Sequence, residues 1–233
     1  MSPPLEFRFV TSADDRRKLP PSRAEVAFLG RSNVGKSSLL NALANRTRLA
    51  HTSKTPGRTQ LLNCFALGDD TTAVDCPGYG FAKVPSNVRA RWQRMLEGYL
   101  LEREELAMIL VLVDGEIGPT KLDVQMLDWL RSYDLDHVVI ASKHDKVKPS
   151  KRGQRKQDLA AGCGVEPGEV VWVSAAKNLG IDHLRDLIRG WLATGSHRRP
   201  AGHVELDDDG GVPPRKAAEP AEPAEYDDEH EWK

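Results

Sequence analysis

The chain has 233 residues, 39% of them hydrophobic, which is enough apolar surface for one sizeable core; three widely separated cysteines, Cys64, Cys76 and Cys163, and seven unclustered histidines argue against a disulfide framework or a zinc site. Its net charge of −1 hides an asymmetry: from Ala201 onward there are 11 acidic and 3 basic residues, leaving residues 1–200 at +7, a balance that favours nucleic-acid contact by the body. Met1–Val10 has no apolar signal region, and the longest apolar run, Ala107–Val113, falls well short of the roughly 18 residues of a membrane helix, so a soluble, cytoplasmic protein with reduced thiols and no membrane partner is expected.

In chain order, Ser12 and Asp15 suggest a short helix start before Pro20 and Pro21. Ala24–Leu29 reads as a buried strand entering GRSNVGKSSLLN, after which the leucines at 39, 40 and 43 have helical spacing. Arg46–Arg58 is a long polar loop, Gln60–Leu67 and Thr72–Asp75 are strands around a turn at 68–70, and Asn87–Arg103 is an amphipathic helix. The runs at 107–114, 137–142 and 169–175 are β-rich and continuous, as strands buried on both faces of a parallel sheet are, with helices at 121–132, 151–161 and 181–191. Strand alternating with helix predicts an α/β doubly wound sheet with its ligand beyond the strand carboxyl ends. The Pro/Glu-rich segment from about residue 202 has little to bury and is expected to be disordered.

Gly30, Gly35, Lys36 and Ser37 satisfy GxxxxGK[ST] between a strand and a helix. Glycines let backbone N–H groups turn toward phosphate oxygens, Lys36 neutralises the β and γ phosphates, and the Ser37 hydroxyl suits Mg²⁺. SKHD at 142–145 ends a buried strand: the Asp145 carboxylate can accept from both N1–H and the 2-amino group of guanine, a pair adenine lacks, while the Lys143 stem covers the base. Ser174 and Ala175 supply small residues and N–H groups near the base carbonyl. Asp75 and Gly78 form DxxG, with a carboxylate that reaches Mg²⁺ through water and an N–H that approaches the γ-phosphate; Thr59 can join the metal when its loop closes. Two segments answering to one phosphate make a switch.

GRSNVGKSSLLN, KTPGRTQ, DCPGYG, SKHDK and VSA, in this order, resemble the EngB family of bacterial GTPases over about residues 5–195. The resemblance implies a Ras-like P-loop G domain, six mostly parallel strands with 60–67 as the antiparallel edge and helices on both faces, spanning 23–195 between an arm (1–22) and an acidic tail (196–233). It implies GTP contacts at Gly30, Arg31, Ser32, Asn33, Val34, Gly35, Lys36 and Ser37; at Gly57, Arg58, Thr59, Gln60 and Leu61; at Asp75, Cys76, Pro77 and Gly78; at Ser142, Lys143, His144 and Asp145; and at Val173, Ser174 and Ala175. Ser37 and Thr59 become the Mg²⁺ ligands. It further implies a role in large (50S) ribosomal subunit assembly, linked to cell division and septation. Position 142 is serine where the family usually has threonine or asparagine, which predicts modest affinity with guanine selectivity retained.

Tyr79 follows DxxG where many switch GTPases place a water-orienting glutamine, and a phenol with pKa near 10 is a poor base, so slow hydrolysis is expected, resting on Lys36 and Gly78. Asn33 has two readings: a ligand for K⁺ that adds positive charge at the phosphates, or an asparagine tolerated because it enters left-handed backbone conformations readily. The seven Lys and Arg within 143–156, and a second set of Lys83, Arg89, Arg91 and Arg94, suit phosphate contacts with ribosomal RNA or are solvated faces. A monomer is expected. The competing functions are a metabolic P-loop kinase, which leaves SKHD and DCPGYG unexplained, and a nucleotide-binding scaffold without turnover, for which Tyr79 is the best argument.

Overall fold

The computed structural model describes residues 2–47, 49, 61–79 and 86–196. Seven strands form one sheet: β1 (Arg8–Ala13), β2 (Ala24–Gly30), β3 (Leu62–Ala66), β4 (Thr71–Asp75), β5 (Leu106–Asp114), β6 (His137–Ser142) and β7 (Val171–Trp172), in the order β1-β3-β4-β2-β5-β6-β7. From β4 through β2, β5 and β6 to β7 the pairing is parallel, and β3 is antiparallel to β4 and β1. Two of the continuous runs are interior strands, β5 and β6, largely buried as β2 and β4 are throughout, whereas the third ends in β7 at the sheet edge.

Five helices cover both faces: α1 (Lys36–Leu43), α2 (Ser86–Glu102), α3 (Lys121–Ser132), α4 (Arg152–Cys163) and α5 (Ile181–Thr194). Leu39, Leu40 and Leu43 of α1 share a core with Leu184, Ile188 and Leu192 of α5 on one face. Leu96 and Tyr99 of α2, Leu127 and Leu130 of α3 and Leu159 of α4 pack on the other. Each such leucine contributes about 2 kcal/mol of burial, so helical spacing suffices to fix which stripe faces the sheet.

Three expectations are corrected. The sheet has a seventh strand, so 62–66 is not the edge: β1 covers it, with a register shift between Phe9 and Thr11. Five of the six β1 residues lie outside the core, and that shift breaks the two-residue alternation that would have announced a strand. The helix start is also displaced, since Asp15, not Ser12, caps a 3-10 turn at Arg16–Lys18, and Ser12 Oγ instead donates to Asn63 Oδ1 at 2.6 Å. The run at 169–175 yields only two strand residues, because a 3-10 turn occupies Pro167–Glu169 and Ser174 bridges back to Leu179.

The fold brings the motif ends to one edge. The chain enters at β2 with β4 on one side and β5 on the other, the reversal of strand order where doubly wound sheets open a crevice at their carboxyl ends. The loops leaving β2, β4, β5, β6 and β7 therefore meet there.

Candidate functional site: a phosphate loop and a base clamp

The loop after β2 is shaped by backbone constraints. Asn33 has φ 66° and Gly35 φ 106°, both left-handed, and Gly35 serves as N-cap of α1 with no side chain capping the helix. The first-turn N–H groups are thus left to the loop, an anion-binding arrangement. A Cβ on Gly30 would sit 2.8 Å from Val34 Cγ1 and 3.0 Å from Leu112 Cβ, so this glycine is required by packing rather than by torsion. At the far end of α1, Arg185 donates to the carbonyls of Ala42 (2.8 Å) and Leu43 (3.0 Å), placing positive charge at the helix C-terminus and anchoring the element that carries Lys36 and Ser37.

DCPGYG runs on beside this loop. Cys76 N donates to Phe28 O (3.1 Å), Tyr79 N to Gly30 O (3.3 Å) and Ser32 N to Tyr79 O (3.4 Å). A Cβ at Gly78 would lie 3.0 Å from Ser32 N, so any other residue would push this segment and the loop apart by a few tenths of an ångström. Lys36 Nζ donates to Asp75 Oδ1, and both side chains are at most a tenth exposed. Tyr79 points away from the loop: its hydroxyl donates to Asp123 Oδ1 at 2.9 Å. Burial, then the Asp123 charge, push its pKa well above that of a free phenol. The ring is a protonated, buried donor and has no means of acting as a base.

The base end is a set of side chains locked from behind. Ser142 Oγ lies 2.7 Å from Val34 O and 3.2 Å from Val113 O, and its one proton, shared between the two carbonyls and directed chiefly to the nearer, ties the end of β6 to the phosphate loop. Lys143, at φ 55°, places Nζ 2.6 Å from Asp114 Oδ2. Asp145 Oδ1 accepts from Ser174 Oγ at 2.5 Å, and that bond, against a smaller opposing desolvation, holds its carboxyl below the usual range. Ser174 is fixed in turn by Lys177 N (3.1 Å). His144 packs edge-on to Trp172 with centroids 5.1 Å apart. Val173 is buried and Ala175 half-buried beside them.

Of the residues expected at the site, the loop 30–37, Asp75–Gly78, 142–145 and 173–175 gather at this edge, with Leu61 exposed at the start of β3. Gly57, Arg58, Thr59 and Gln60 lie outside the described residues, as do Lys83, the Arg89 side chain and the acidic tail. Sequence reasoning missed Asp114 and Asp123. Asp114 faces Ser142 in the β5–β6 register, a placement that needs strand order to be known.

The arrangement fits a nucleotide. Ser32 Oγ is buried beside Gly78 and among the described residues has no hydrogen-bond partner. Among the described residues no group of three His, Cys, Asp or Glu gathers as a metal cluster. Ser37 and Asp75 instead match Mg²⁺, which usually takes one or two protein oxygens beside phosphate and water.

A phosphate loop, a DxxG segment bonded to it and a carboxylate clamp for guanine, on a doubly wound sheet, define the class of P-loop GTP-binding proteins. A family model described as 50S ribosome-binding GTPase matches residues 25–143. Two relatives called probable GTP-binding protein EngB are similar, from Thiobacillus denitrificans (47% identical over 189 residues, 79% of this chain and 90% of the relative) and Geobacter sulfurreducens (43% over 188 residues, 80% and 91%). The crystal structure of a probable GTP-binding protein engB superposes with TM-score 0.61 at 25% identity, over 73% of this chain and all of the other. Era bound to MgGDPNP and a 16S ribosomal RNA segment shares the fold, with TM-score 0.55 at 22% identity over 79% of this chain and 60% of its own. The chain belongs to the EngB family of GTP-binding proteins.

Proposed function

We propose that this GTPase is a slow switch assisting assembly of the large ribosomal subunit in the cytoplasm, acting as a monomer and associated with normal division and septation. The observation that carries the nucleotide part is the junction at one sheet edge of Lys36–Asp75 with the Asp145–Ser174 clamp. The ribosomal part is supported by the description of the matching family as 50S ribosome-binding. In this reading the G domain is 23–195, the 1–22 arm adds β1 to its sheet, and the 196–233 tail follows it.

Asp145 selects guanine because its carboxylate pairs with two donors that adenine does not present, and an unpaired carboxylate there would penalise ATP. Lys36 and the N–H groups of 30–37 orient the phosphates, and Gly78 N–H meets the γ-phosphate. Bound Mg²⁺ would supply charge neutralisation at the β and γ oxygens, held by Ser37, by Thr59 and, through water, by Asp75. With Tyr79 committed to Asp123, no side chain of DCPGYG orients the attacking water, which supports slow turnover. Asn33 is proposed as the K⁺ ligand; its left-handed φ is compatible with that role and equally accounts for asparagine without it.

For the ribosomal surface, Lys146, Lys148, Lys151 and Lys156 are exposed, and among the described residues none makes an ion pair. Arg91 is already paired with Asp14. We therefore assign RNA phosphate contact chiefly to the segment after SKHD. Co-sedimentation with large subunits tests the reading: binding should favour a non-hydrolysable GTP analogue over GDP and fall steeply with salt, and binding indifferent to both would refute it.

A further inference from the structure

Asp123 is fully buried, yet its carboxylate collects donors from three parts of the chain. Arg31 Nε of the phosphate loop lies 3.0 Å from Oδ2, the Tyr79 hydroxyl 2.9 Å from Oδ1, and Thr120 N and Oγ1 each 2.8 Å from Oδ2. The Thr120 N contact is the half of a capping box in which the N3 side chain reaches back to the N-cap N–H at the start of α3. Among the described residues, the cation paired with this carboxylate is Arg31, from the phosphate loop.

We propose that Asp123 is a positioning residue that ties the start of α3 to the nucleotide state of the phosphate loop and the DxxG segment. This rests on the guanine-nucleotide reading above. The backbone links between DCPGYG and the loop are long, 3.3 and 3.4 Å, whereas the side-chain links through Asp123 are 2.8–3.0 Å. Long bonds yield first. When the γ-phosphate draws Gly78, the neighbouring Tyr79 backbone moves, and its hydroxyl stays with Asp123 because a buried carboxylate that loses a donor is costly. The displacement therefore passes to the carboxylate that caps α3. Val124 N, bonded to Thr120 O at 3.0 Å, is the first helical amide to feel it.

Amide hydrogen exchange on the full-length chain tests this, with Mg²⁺–GDP and with a Mg²⁺-bound non-hydrolysable GTP analogue, after a titration has established that both bind. In the unaltered protein, exchange at Asp123 and Val124 should differ at least threefold between the two nucleotides, and Tyr79→Phe should reduce that difference below 1.5-fold. Arg31→Lys, which removes the Nε donor but keeps the charge, is the second variant and should narrow the difference likewise. A purely structural role would raise exchange by one factor in both states and leave the ratio intact, which overturns the proposal, as does an α3 start indifferent to nucleotide in the unaltered protein. Failure of either nucleotide to bind would appear in the titration and would overturn the guanine reading itself.

Discussion

The Ser142 hydroxyl donates a 2.7 Å hydrogen bond to the carbonyl of Val34, joining the end of β6 to the phosphate loop across 108 residues of sequence. Base recognition and phosphate recognition are thereby braced against each other. Ser142→Ala removes a buried hydrogen bond of about 1 kcal/mol, so the Kd for GDP should rise about fivefold by calorimetry. The preference for guanine over adenine should not change, because Asp145 keeps its own partner, Ser174. Ser142→Thr, which keeps the hydroxyl, should bind nearly as the unaltered protein does.

Lys36 and Asp75 neutralise each other across the place where phosphate and metal belong. Removing one member of a buried pair leaves the other charge uncompensated, at about 3–5 kcal/mol. Lys36→Met and Asp75→Asn should each lower the urea midpoint of the nucleotide-free protein, and the double substitution should be more stable than the sum of the two predicts by at least about 1 kcal/mol. Strict additivity would mean that the pair does not hold the nucleotide-free site together.

Away from the site, Glu25 is fully buried in β2 and accepts from Thr72 Oγ1 (2.7 Å), Tyr99 OH (2.8 Å) and Arg103 Nε (3.1 Å), so one carboxylate joins β2, β4 and the end of α2. Arg103 also holds Pro20 O at 2.7 Å. Arg103→Met leaves that carboxylate without a counter-charge and should cost about 3 kcal/mol in urea denaturation. Unchanged stability would show that Thr72 and Tyr99 alone suffice to keep Glu25 buried.

The uneven legibility of the sequence follows from which features are local. The helix around 121–132 was readable because periodicity is a local property, and the strands β2, β5 and β6 followed from apolar runs. The phosphate loop and the SKHD segment were readable because their chemistry is contiguous. Asp123 was not, because its partners Tyr79 and Arg31 lie 44 and 92 residues away. β1 was hidden for the opposite reason: RFVTSA is contiguous, but at the edge of a sheet, with a register shift, it has little apolar pattern to show.

Asn33 is exposed in a left-handed conformation at the tip of the phosphate loop. If its side chain holds K⁺, replacing Na⁺ by K⁺ at constant ionic strength should raise single-turnover GTP hydrolysis at least tenfold, equivalent to about 1.4 kcal/mol of barrier. Asn33→Ala should then remove the difference without abolishing binding. Equal rates in the two salts would leave backbone conformation as the whole reason for the asparagine.

His144 makes stability depend on pH in a defined direction. Its ring lies against Trp172, and burial first, then Arg152 and Lys156, hold its pKa below the ordinary 6.5. In the window between that lowered pKa and about 6.5 the unfolded chain binds a proton that the folded protein does not. The contribution is therefore complete above about pH 6.5 and is lost as pH falls below it. Melting temperature should decline from pH 6.5 to 5.5, and His144→Gln should flatten that part of the profile. Because the basic neighbours act through charge and the burial does not, 1 M salt should shrink the slope without abolishing it. An unchanged slope in His144→Gln would assign the acid sensitivity to another group.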